Sequence, residues 1–426
     1  MKVLIISHNP ISTKSNMGKT FLSLFSEFDR SELCQFYIYP SFPDVRRCSS
    51  FYRVTDKEIV RSLFSFKQIG GEVESKNINE NADFYENPAD RALYRNVKNK
   101  SAIRRIARDT AWKLSRGYEK SLYGWLEKEK PDSIFLSPGP GEFIYDIALD
   151  ISKKLNIPIV TYICDEYYFL DTPKGLLDKL RFGRFKKKFE KLMSNSACLA
   201  LICDELKEIY TERFGVKAET LMTGASRGIS EGAKIVDNPT EIRYFGNIRC
   251  NRFNSLCDVG LALDEINSHM GSDYKLKIFT AEKDSEILSI FDGIKSIELC
   301  GFVSGEDFER EFGNSQLLLH VEAFDDASID RVKHSVSTKI ADSLASGIPL
   351  LAYGPESISS MKHLIRHNCA LVATSKEELK FMLETAFSDV ERKRICAENA
   401  IETAKKYHDS RKIGLVLKDI FEKIHN

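Results

Sequence analysis

Short apolar runs alternate with amphipathic segments along most of this 426-residue chain. In the first half, the runs of strand type are Lys2–Ser7, Gln35–Tyr39, Pro131–Pro138, Ile157–Ile163 and Cys198–Ile202. Segments with helical periodicity lie between them at Gly18–Phe28, Phe143–Leu155 and Asp204–Phe214. Strand–helix alternation of this kind predicts a parallel sheet with helices on both faces.

A second series of the same kind begins near residue 240. Its predicted strands are Ile242–Phe245, Tyr274–Thr280, Ile297–Phe302, Leu317–Glu322 and Pro349–Tyr353. Its predicted helices are Asn254–Ser268, Ser285–Phe291, Gly305–Phe312, Lys376–Phe387, Val390–Lys406 and Ser410–His425. Two such series predict an α/β protein with two doubly wound, Rossmann-like domains that face a cleft. Ligands are then expected beyond the carboxyl ends of the strands.

The polar segment Arg227–Pro239 is the best candidate for a linker, since a chain of this length favours two cores over one. We therefore expect an N-terminal domain at 1–230, a C-terminal domain at 240–405 and a terminal helix at 406–426. The weakly patterned segment Ser41–Asn87 is predicted to be an insertion or a flexible loop. The segment Asp90–Glu129 is predicted to be helical and basic.

The composition of the chain argues against several classes of protein. The chain has 62 Lys and Arg against 62 Asp and Glu, which argues against a whole-protein role on nucleic acid. The ten cysteines are scattered without a Cys-x-x-Cys pair, so no zinc or thioredoxin-type site is indicated. No apolar segment approaches the length of roughly 20 residues that spans a bilayer. We expect a cytoplasmic protein without a metal or cofactor.

The segment Ser335–Gly354 has the strongest local pattern for ligand binding. Ser337 is a good N-cap, and Gly347 followed by Pro349 ends the predicted helix. A helix N-terminus with nearby hydroxyls can bind an anion. Thr338 and Asp342 lie four residues apart on one helix face, which suits a phosphate and a ribose one turn away. An ordinary helix–strand unit with a solvated Asp and Lys is the alternative.

Charged residues also follow two strands of the second series. Arg249 and Arg252 come after the turn at Gly246, and guanidinium groups suit the oxygens of a diphosphate. Glu322 ends another strand and is a candidate for contact with a sugar. The alternatives are two surface arginines and a glutamate that orders a loop.

The first half offers weaker candidates. Gly18-Lys-Thr20 resembles the end of a phosphate-binding P-loop, but that motif needs a glycine at position 13, which is Thr. An anion at the Gly18 helix start remains an expectation, and His8 lies in the same loop. Asp165 and Glu166 follow a strand and either meet a substrate or cap the next helix.

The segment Lys174–Met193 interleaves leucines and phenylalanines with lysines and arginines. A basic face beside an aromatic face is typical of a helix at a membrane interface. The segment therefore predicts peripheral contact with an anionic membrane, at the inner face of the plasma membrane. The alternative is a surface helix whose apolar face packs on its own domain.

Taken together, the paired α/β series, the Gly246 loop with Arg252, and the pattern Ser337-Thr-Lys339…Asp342…Gly347-x-Pro349 resemble GT-B glycosyltransferases. The likeness is strongest to the family 4-like (group 1) enzymes of bacterial surface polysaccharide synthesis. It covers most of the chain and is strongest from Tyr244 to Pro355. The resemblance implies the GT-B fold, with a terminal helix that crosses back to the N-terminal domain.

The resemblance also implies roles for individual residues. Binding of a nucleotide-diphosphate sugar such as a UDP-sugar falls to Gly246, Arg249, Arg252, Phe302, Val303, Ser337, Thr338, Lys339 and Asp342. Within this set, Arg252, Ser337 and Thr338 face the diphosphate, Phe302 and Val303 the base, and Asp342 the ribose. Glu322 and His8 are the catalytic candidates, and Gly18, Asp165 and Glu166 lie on the acceptor side.

The sequence departs from the family pattern at one expected glutamate pair. Asp342 stands for the second glutamate, and the position eight residues earlier is His334. We expect a metal-independent, retaining transfer of a hexosyl group to a glycan or lipid-linked acceptor. Two alternatives stay open: a sugar-nucleotide epimerase of the same fold, and a non-catalytic member that binds a glycan or a protein partner.

Overall fold

The computed structural model describes residues 1–13, 15–65, 67–73, 102–139, 141–169 and 175–425. The chain divides into two compact units. The first unit contains Met1–Met222 together with Ile413–Asn426, and the second contains Thr223–Lys412. The division at residue 222 precedes the segment Arg227–Pro239, and the return to the first unit comes at residue 413.

Parallel strands form the centre of the first unit. They are β1 Val3–Ser7, β2 Leu33–Tyr37, β3 Ser50–Arg53, β4 Gly71–Glu72, β5 Ser133–Leu136, β6 Ile159–Ile163, β7 Cys198–Leu201 and β8 Ala218–Thr220. Among the described residues they form one sheet in the order β4-β3-β2-β1-β5-β6-β7-β8, with only β3 and β4 antiparallel. The inner strands are buried along their whole length, which explains their continuous apolar runs.

Helices connect these strands. They are α1 Asn16–Leu24, α2 Asp56–Ser65, α3 Ala102–Leu114, α4 Glu119–Glu129, α5 Glu142–Leu155, α6 Leu176–Ser194 and α7 Asp204–Phe214. Capping fixes several of the ends: the Ser15 side chain accepts from the Gly18 amide at the start of α1, and Gly215 adopts a φ of 64° after α7.

The second unit repeats this architecture. Its strands are β9 Glu241–Phe245, β10 Lys275–Phe279, β11 Ile297–Gly301, β12 Leu318–Val321, β13 Leu350–Tyr353 and β14 Leu371–Ala373. They form a parallel sheet in the order β11-β10-β9-β12-β13-β14. The chain leaves β9 toward β10 on one side and reaches β12 on the other. The order of the strands therefore reverses between β9 and β12.

Helices cover both faces of this second sheet. They are α8 Arg252–Met270, α9 Ser285–Leu288, α10 Gly305–Gly313, α11 Asp326–Val332, α12 Thr338–Ala345, α13 Ser359–Arg366, α14 Lys376–Ser388 and α15 Val390–Tyr407. One apolar cluster packs α8 and α14 on the sheet, and a second packs α12, α13 and α15. The final helix, α16 Ser410–His425, enters the first unit at Ile413. The predicted fold class of two Rossmann-like α/β domains is confirmed.

Several sequence-based boundaries were wrong. The segment predicted as a loop from Ser41 contains β3, α2 and β4, because β3 buries only Phe51 and Tyr52 and gives no long apolar run. Helix α11 begins directly after Asp325, whose side chain accepts from the Ser328 amide at 3.0 Å. Residues 74–101 and Lys174, which enter three of the predicted segments, lie outside the described residues.

Within the ranges that the structure describes, no helix is both long enough and apolar enough to cross a lipid bilayer.

Candidate active site

The candidate site lies at the carboxyl ends of β9 and β12. These neighbouring strands flank the reversal of strand order in the second sheet, which is where open α/β sheets bind ligands. Gly246 follows β9 directly, and Glu322 follows β12 directly. The topology therefore brings two sequence-predicted residues to one place although 76 positions separate their numbers.

Gly246 allows a close approach of a lysine to the backbone. A Cβ atom at this position would lie 1.8 Å from Nζ of Lys339, so any larger residue would displace that ammonium group. Lys339 belongs to the first turn of α12, and Nζ also lies 5.8 Å from the centroid of the Tyr244 ring. The glycine, which the sequence predicts as a turn residue, thus makes room for a cation.

Lys339 retains solvent access, yet its surroundings make the ammonium less stable than it is in water. Loss of hydration and then the positive charge of Arg252 lower its pKa to about 8, while Glu322 acts in the opposite direction. Its ammonium is therefore a cation that would gain from the arrival of a negative ligand.

Arg252 forms the other cationic group of the site. Its Nη2 atom lies 2.8 Å from Oε2 of Glu322, and its Nε donates to the same oxygen at 3.0 Å. Glu322 is 3% exposed, and its second oxygen lies 3.4 Å from Nε2 of His320. Burial by itself would raise the pKa of Glu322, but the hydrogen bonds and charges of His320 and Arg252 lower it overall. Glu322 is thus an ionised residue that fixes the arginine.

Arg249, the second predicted arginine, already binds a carboxylate of its own. Its guanidinium binds Glu282 through two hydrogen bonds of 2.5 and 2.9 Å. The hydrogen bond from Arg249 lowers the pKa of Glu282 to about 2. A diphosphate contact by Arg249 would have to compete with this carboxylate, which the sequence did not indicate.

The start of α12 has the geometry predicted for an N-cap. Ser337 is extended, with φ −64° and ψ 126°, and its hydroxyl makes no capping hydrogen bond. Thr338 opens the helix. One turn later, Oδ1 of Asp342 accepts from the amide and the hydroxyl of Ser226, at 2.7 and 2.8 Å. The ribose contact of Asp342 remains a prediction, and Ser226 is a partner that the sequence did not indicate.

Phe302 and Val303 follow β11 at the same edge of the sheet. Phe302 is 68% exposed, and Val303 is half-buried. An exposed aromatic ring at a ligand-binding edge is available for stacking on a planar base. This placement is compatible with the predicted role of both residues.

The predicted residues of the first unit are engaged in its own structure. His8 follows β1, is buried, and has Nε2 3.1 Å from the Pro138 carbonyl oxygen. Burial and the charge of Arg108 lower the pKa of His8 to about 3, so the imidazole is neutral near pH 7. The Gly18 amide already donates to Ser15 at 3.0 Å, so it is not free for an anion.

The two acidic residues after β6 differ from each other. Asp165 is exposed and accepts a long hydrogen bond of 3.4 Å from the Tyr167 hydroxyl. Glu166 is buried, and its Oε1 accepts from the amides of Tyr168 and Phe169 and from the Tyr210 hydroxyl. Glu166 therefore orders the loop after β6. This differs from the predicted cap of the next helix, which begins at Leu176 with Gly175 as its N-cap.

Sequence reasoning missed the supporting residues Tyr244, Glu282 and Ser226, and it gave His320 no role. The sequence could have indicated a role for His320, because it precedes Glu322 by two positions and residues two apart on a strand point to the same side. Ser226 and Glu282 carried none, because their partners are distant in sequence. Among the described residues, no group of three His, Cys, Asp or Glu side chains is arranged to hold a metal ion.

No protein-family model and no curated protein sequence matches this chain. Solved structures do match it along its whole length. HepE of Anabaena in complex with UDP has a TM-score of 0.62 at 10% identity, covering 99% of this chain and 100% of that one. The sucrose-phosphate synthase of Thermosynechococcus elongatus has a TM-score of 0.60 at 8% identity, covering 100% and 99%.

A third structure, a trehalose-6-phosphate protein from E. coli bound with UDP-2-fluoro glucose, has a TM-score of 0.59 at 8% identity and covers 99% of each chain. Identities this low show the fold alone. The chain has the GT-B fold, with two parallel-sheet domains, and the resemblance predicted from the sequence is confirmed at the level of the fold.

Proposed function

We propose that this protein is a glycosyltransferase that moves a sugar from a nucleotide-diphosphate sugar to a glycan or lipid-linked acceptor. In this proposal it belongs with the family 4-like enzymes of bacterial surface polysaccharide synthesis. The observation that carries the proposal is the Lys339 ammonium against Gly246, with Arg252 close enough to lower its pKa, at the reversal point of the second sheet.

A diphosphate is opposite in charge to this pair of cations, and its oxygens would share Arg252 with the Glu322 carboxylate. Departure of the diphosphate concentrates negative charge on its oxygens, and cations that are already in place stabilise that charge without reorganisation. The first amides of α12 add the positive end of a helix dipole near Lys339. Arg252 and Lys339 then supply the positive charge that a divalent cation supplies elsewhere, so the proposed transfer is metal-independent.

The remaining predicted residues complete the proposed assignment. Phe302 and Val303 hold the base, and Asp342 exchanges its Ser226 contact for the ribose hydroxyls. Glu322 orients Arg252 and, with it, the donor sugar. The acceptor meets the first unit at the exposed Asp165, whereas His8, Gly18 and Glu166 support that unit's own structure. Retention of anomeric configuration remains part of the proposal because the family resemblance implies it.

The test measures UDP binding by isothermal titration calorimetry, since two of the similar structures were solved with UDP or a UDP-sugar. We expect Lys339→Met to weaken UDP binding by about tenfold, the effect of removing one charge-assisted contact. Lys295→Met is the matched control, because Lys295 is an exposed lysine at the amino edge of the same sheet. Equal affinity of wild type and Lys339→Met would remove the basis of the proposal.

The reaction itself is tested by incubating a UDP-sugar with and without a glycan acceptor. Release of UDP that depends on acceptor supports the transferase. An altered sugar on intact nucleotide, formed without acceptor, would identify the epimerase. UDP binding without turnover of any donor would favour the non-catalytic member.

A further inference from the structure

Three neighbouring helices of the first unit, α2, α3 and α6, lie outside the candidate site. Asp56 of α2 accepts from Nε of Arg108 at 3.0 Å and from Nε1 of Trp112 at 2.7 Å, both on α3. Helix α2 therefore packs on α3, and α3 packs on α6.

Large apolar side chains are exposed on all three helices. Leu176, Leu177 and Leu180 on α6 are 75%, 58% and 64% exposed, and Phe64 on α2 is 84% exposed. Ile103 and Leu114 on α3 are equally open. Single exposed leucines are normal, but a group on adjoining helices indicates an interaction surface. We refer to Phe64, Ile103, Leu114, Leu176, Leu177 and Leu180 as the apolar face.

Basic residues outnumber acidic residues on the three helices that carry the apolar face. The three helices contain thirteen Lys and Arg against five Asp and Glu, although the whole chain is neutral. On α6 the exposed stripe that begins at Leu176 and Leu180 continues through Arg184, Lys187 and Lys191, at helical spacing. Within the described residues, neither Lys187 nor Lys191 forms an ion pair. The apolar end and the basic end thus share one side of the helix.

The acidic residues of these helices do not cancel this charge. Asp56 is paired with Arg108, Asp178 with Arg181, and Glu190 with Arg213. Asp109 is buried, and burial raises its pKa to about 6. Glu58 caps its own helix through Thr55. From the neighbouring α5, Glu142 pairs with Arg184 and Asp146 with Lys188. The charge that these helices present to solvent is positive at the remaining basic residues, Lys187 and Lys191 among them.

We propose that the apolar face docks on an anionic lipid bilayer. The leucines and Phe64 would enter the boundary between headgroups and acyl chains, and the lysines of α6 would lie on lipid phosphates. A second copy of this chain fits less well, since a symmetric contact would bring two positive surfaces together. A nucleic acid would neutralise the charge but would leave six large apolar side chains in water.

This inference does not rest on the proposed glycosyl transfer, because vesicle binding is measured without donor or acceptor. The experiment is co-sedimentation of the full chain with phosphatidylglycerol–phosphatidylcholine vesicles and with pure phosphatidylcholine vesicles. We expect binding to the anionic vesicles that weakens as salt is added.

Two variants separate the apolar from the electrostatic part. Leu177→Ser with Leu180→Ser should weaken vesicle binding at least about tenfold, through the lost burial of two side chains. Lys187→Gln with Lys191→Gln should weaken it about thirtyfold, at roughly 1 kcal/mol for each charge near the surface. Leu261→Ser is the matched control, since Leu261 is 56% exposed on α8 of the second unit. All variants change exposed residues, so unchanged thermal melting should accompany them.

Equal binding to neutral and anionic vesicles, or no loss in either double variant, would overturn the proposal. Self-association in analytical ultracentrifugation that the leucine variant abolishes would assign the apolar face to a second copy instead. Salt-sensitive binding of RNA that the leucine variant leaves intact would also contradict docking on lipid.

Discussion

The carboxyl edges of the two sheets differ in chemistry, although in both sheets parallel strands reverse their order, at β1 and β5 in the first and at β9 and β12 in the second. In the second unit, Arg252 and Lys339 remain cationic beside a glycine, and the Arg252 side chain is 21% exposed. In the first unit, His8 is buried and neutral, and Glu166 is buried on backbone amides. A strand end is therefore only a candidate position, and burial and partners decide whether it offers a charge to a ligand.

The largest expected effect tests the charged edge directly. Arg252→Met should weaken UDP binding by about 100-fold and lower the free energy of unfolding by about 2 kcal/mol, because Glu322 is left buried without its cation. Calorimetry with UDP and urea unfolding measure the two quantities.

A second variant separates these two effects of Arg252. The double change Arg252→Met with Glu322→Gln should recover the stability, because no buried charge remains, but not the affinity. Recovery of UDP binding in the double variant would show that Arg252 acts through folding rather than through a diphosphate.

The pH dependence of UDP binding gives a smaller effect. The pKa of Lys339 is lowered to about 8 in the free protein, so the ammonium is lost as the pH rises through that value. Bound diphosphate favours the charged form, so affinity should be nearly full at pH 7, about fivefold lower at pH 9 and about tenfold lower at pH 10.

The control for this pH dependence is Lys339→Arg, which stays charged throughout the range and should bind UDP with a flat profile. A fall of the same size in that variant would place the titrating group elsewhere.

The smallest expected effect on UDP binding concerns the carboxyl edge of the first sheet. Glu166→Ala should lower the free energy of unfolding by about 2 kcal/mol, since it leaves the amides of Tyr168 and Phe169 without their acceptor. Its UDP affinity should stay within about twofold of wild type. Asp165→Ala, at the exposed neighbouring position, should change neither the free energy of unfolding nor the UDP affinity. A loss of UDP binding in either variant would show that the carboxyl edge of the first sheet also contributes to UDP binding.

Much of the fold could be predicted from the chain. The buried parallel strands read as apolar runs, so β1, β6, β10 and β13 were placed within about two residues, and α7 and α16 were placed at their observed bounds. The strands β3, β8 and β14 escaped, because they lack the continuous buried run of four or five residues that marks the inner strands. The loop predicted from Ser41 was wrong for this reason.

The sequence could predict which residues belong to the candidate site, but not how they are arranged. Gly246, Arg252 and Lys339 were identified from motif and resemblance, but only the tertiary structure shows Lys339 against Gly246 and Arg252 close enough to lower the Lys339 pKa. Glu322 was expected to meet a sugar, and the structure shows it bound to Arg252. No spacing rule connects residues 70 positions apart, so this ion pair could not be read from the chain.

The sequence by itself determined two parallel α/β domains, because the periodicity of buried strands and amphipathic helices is local and survives in one dimension. It also determined which residue types stand at strand ends and helix starts. The tertiary structure alone decided which of those residues carry an available charge. Whether such a side chain offers its charge to a ligand depends on its exposure to solvent, on its ion-pair partner and on the space that a neighbouring glycine leaves. All three are set by packing between segments that are far apart in the chain. Gly246 and Lys339 depend on each other in this way: the absence of one side chain provides the space that the other occupies.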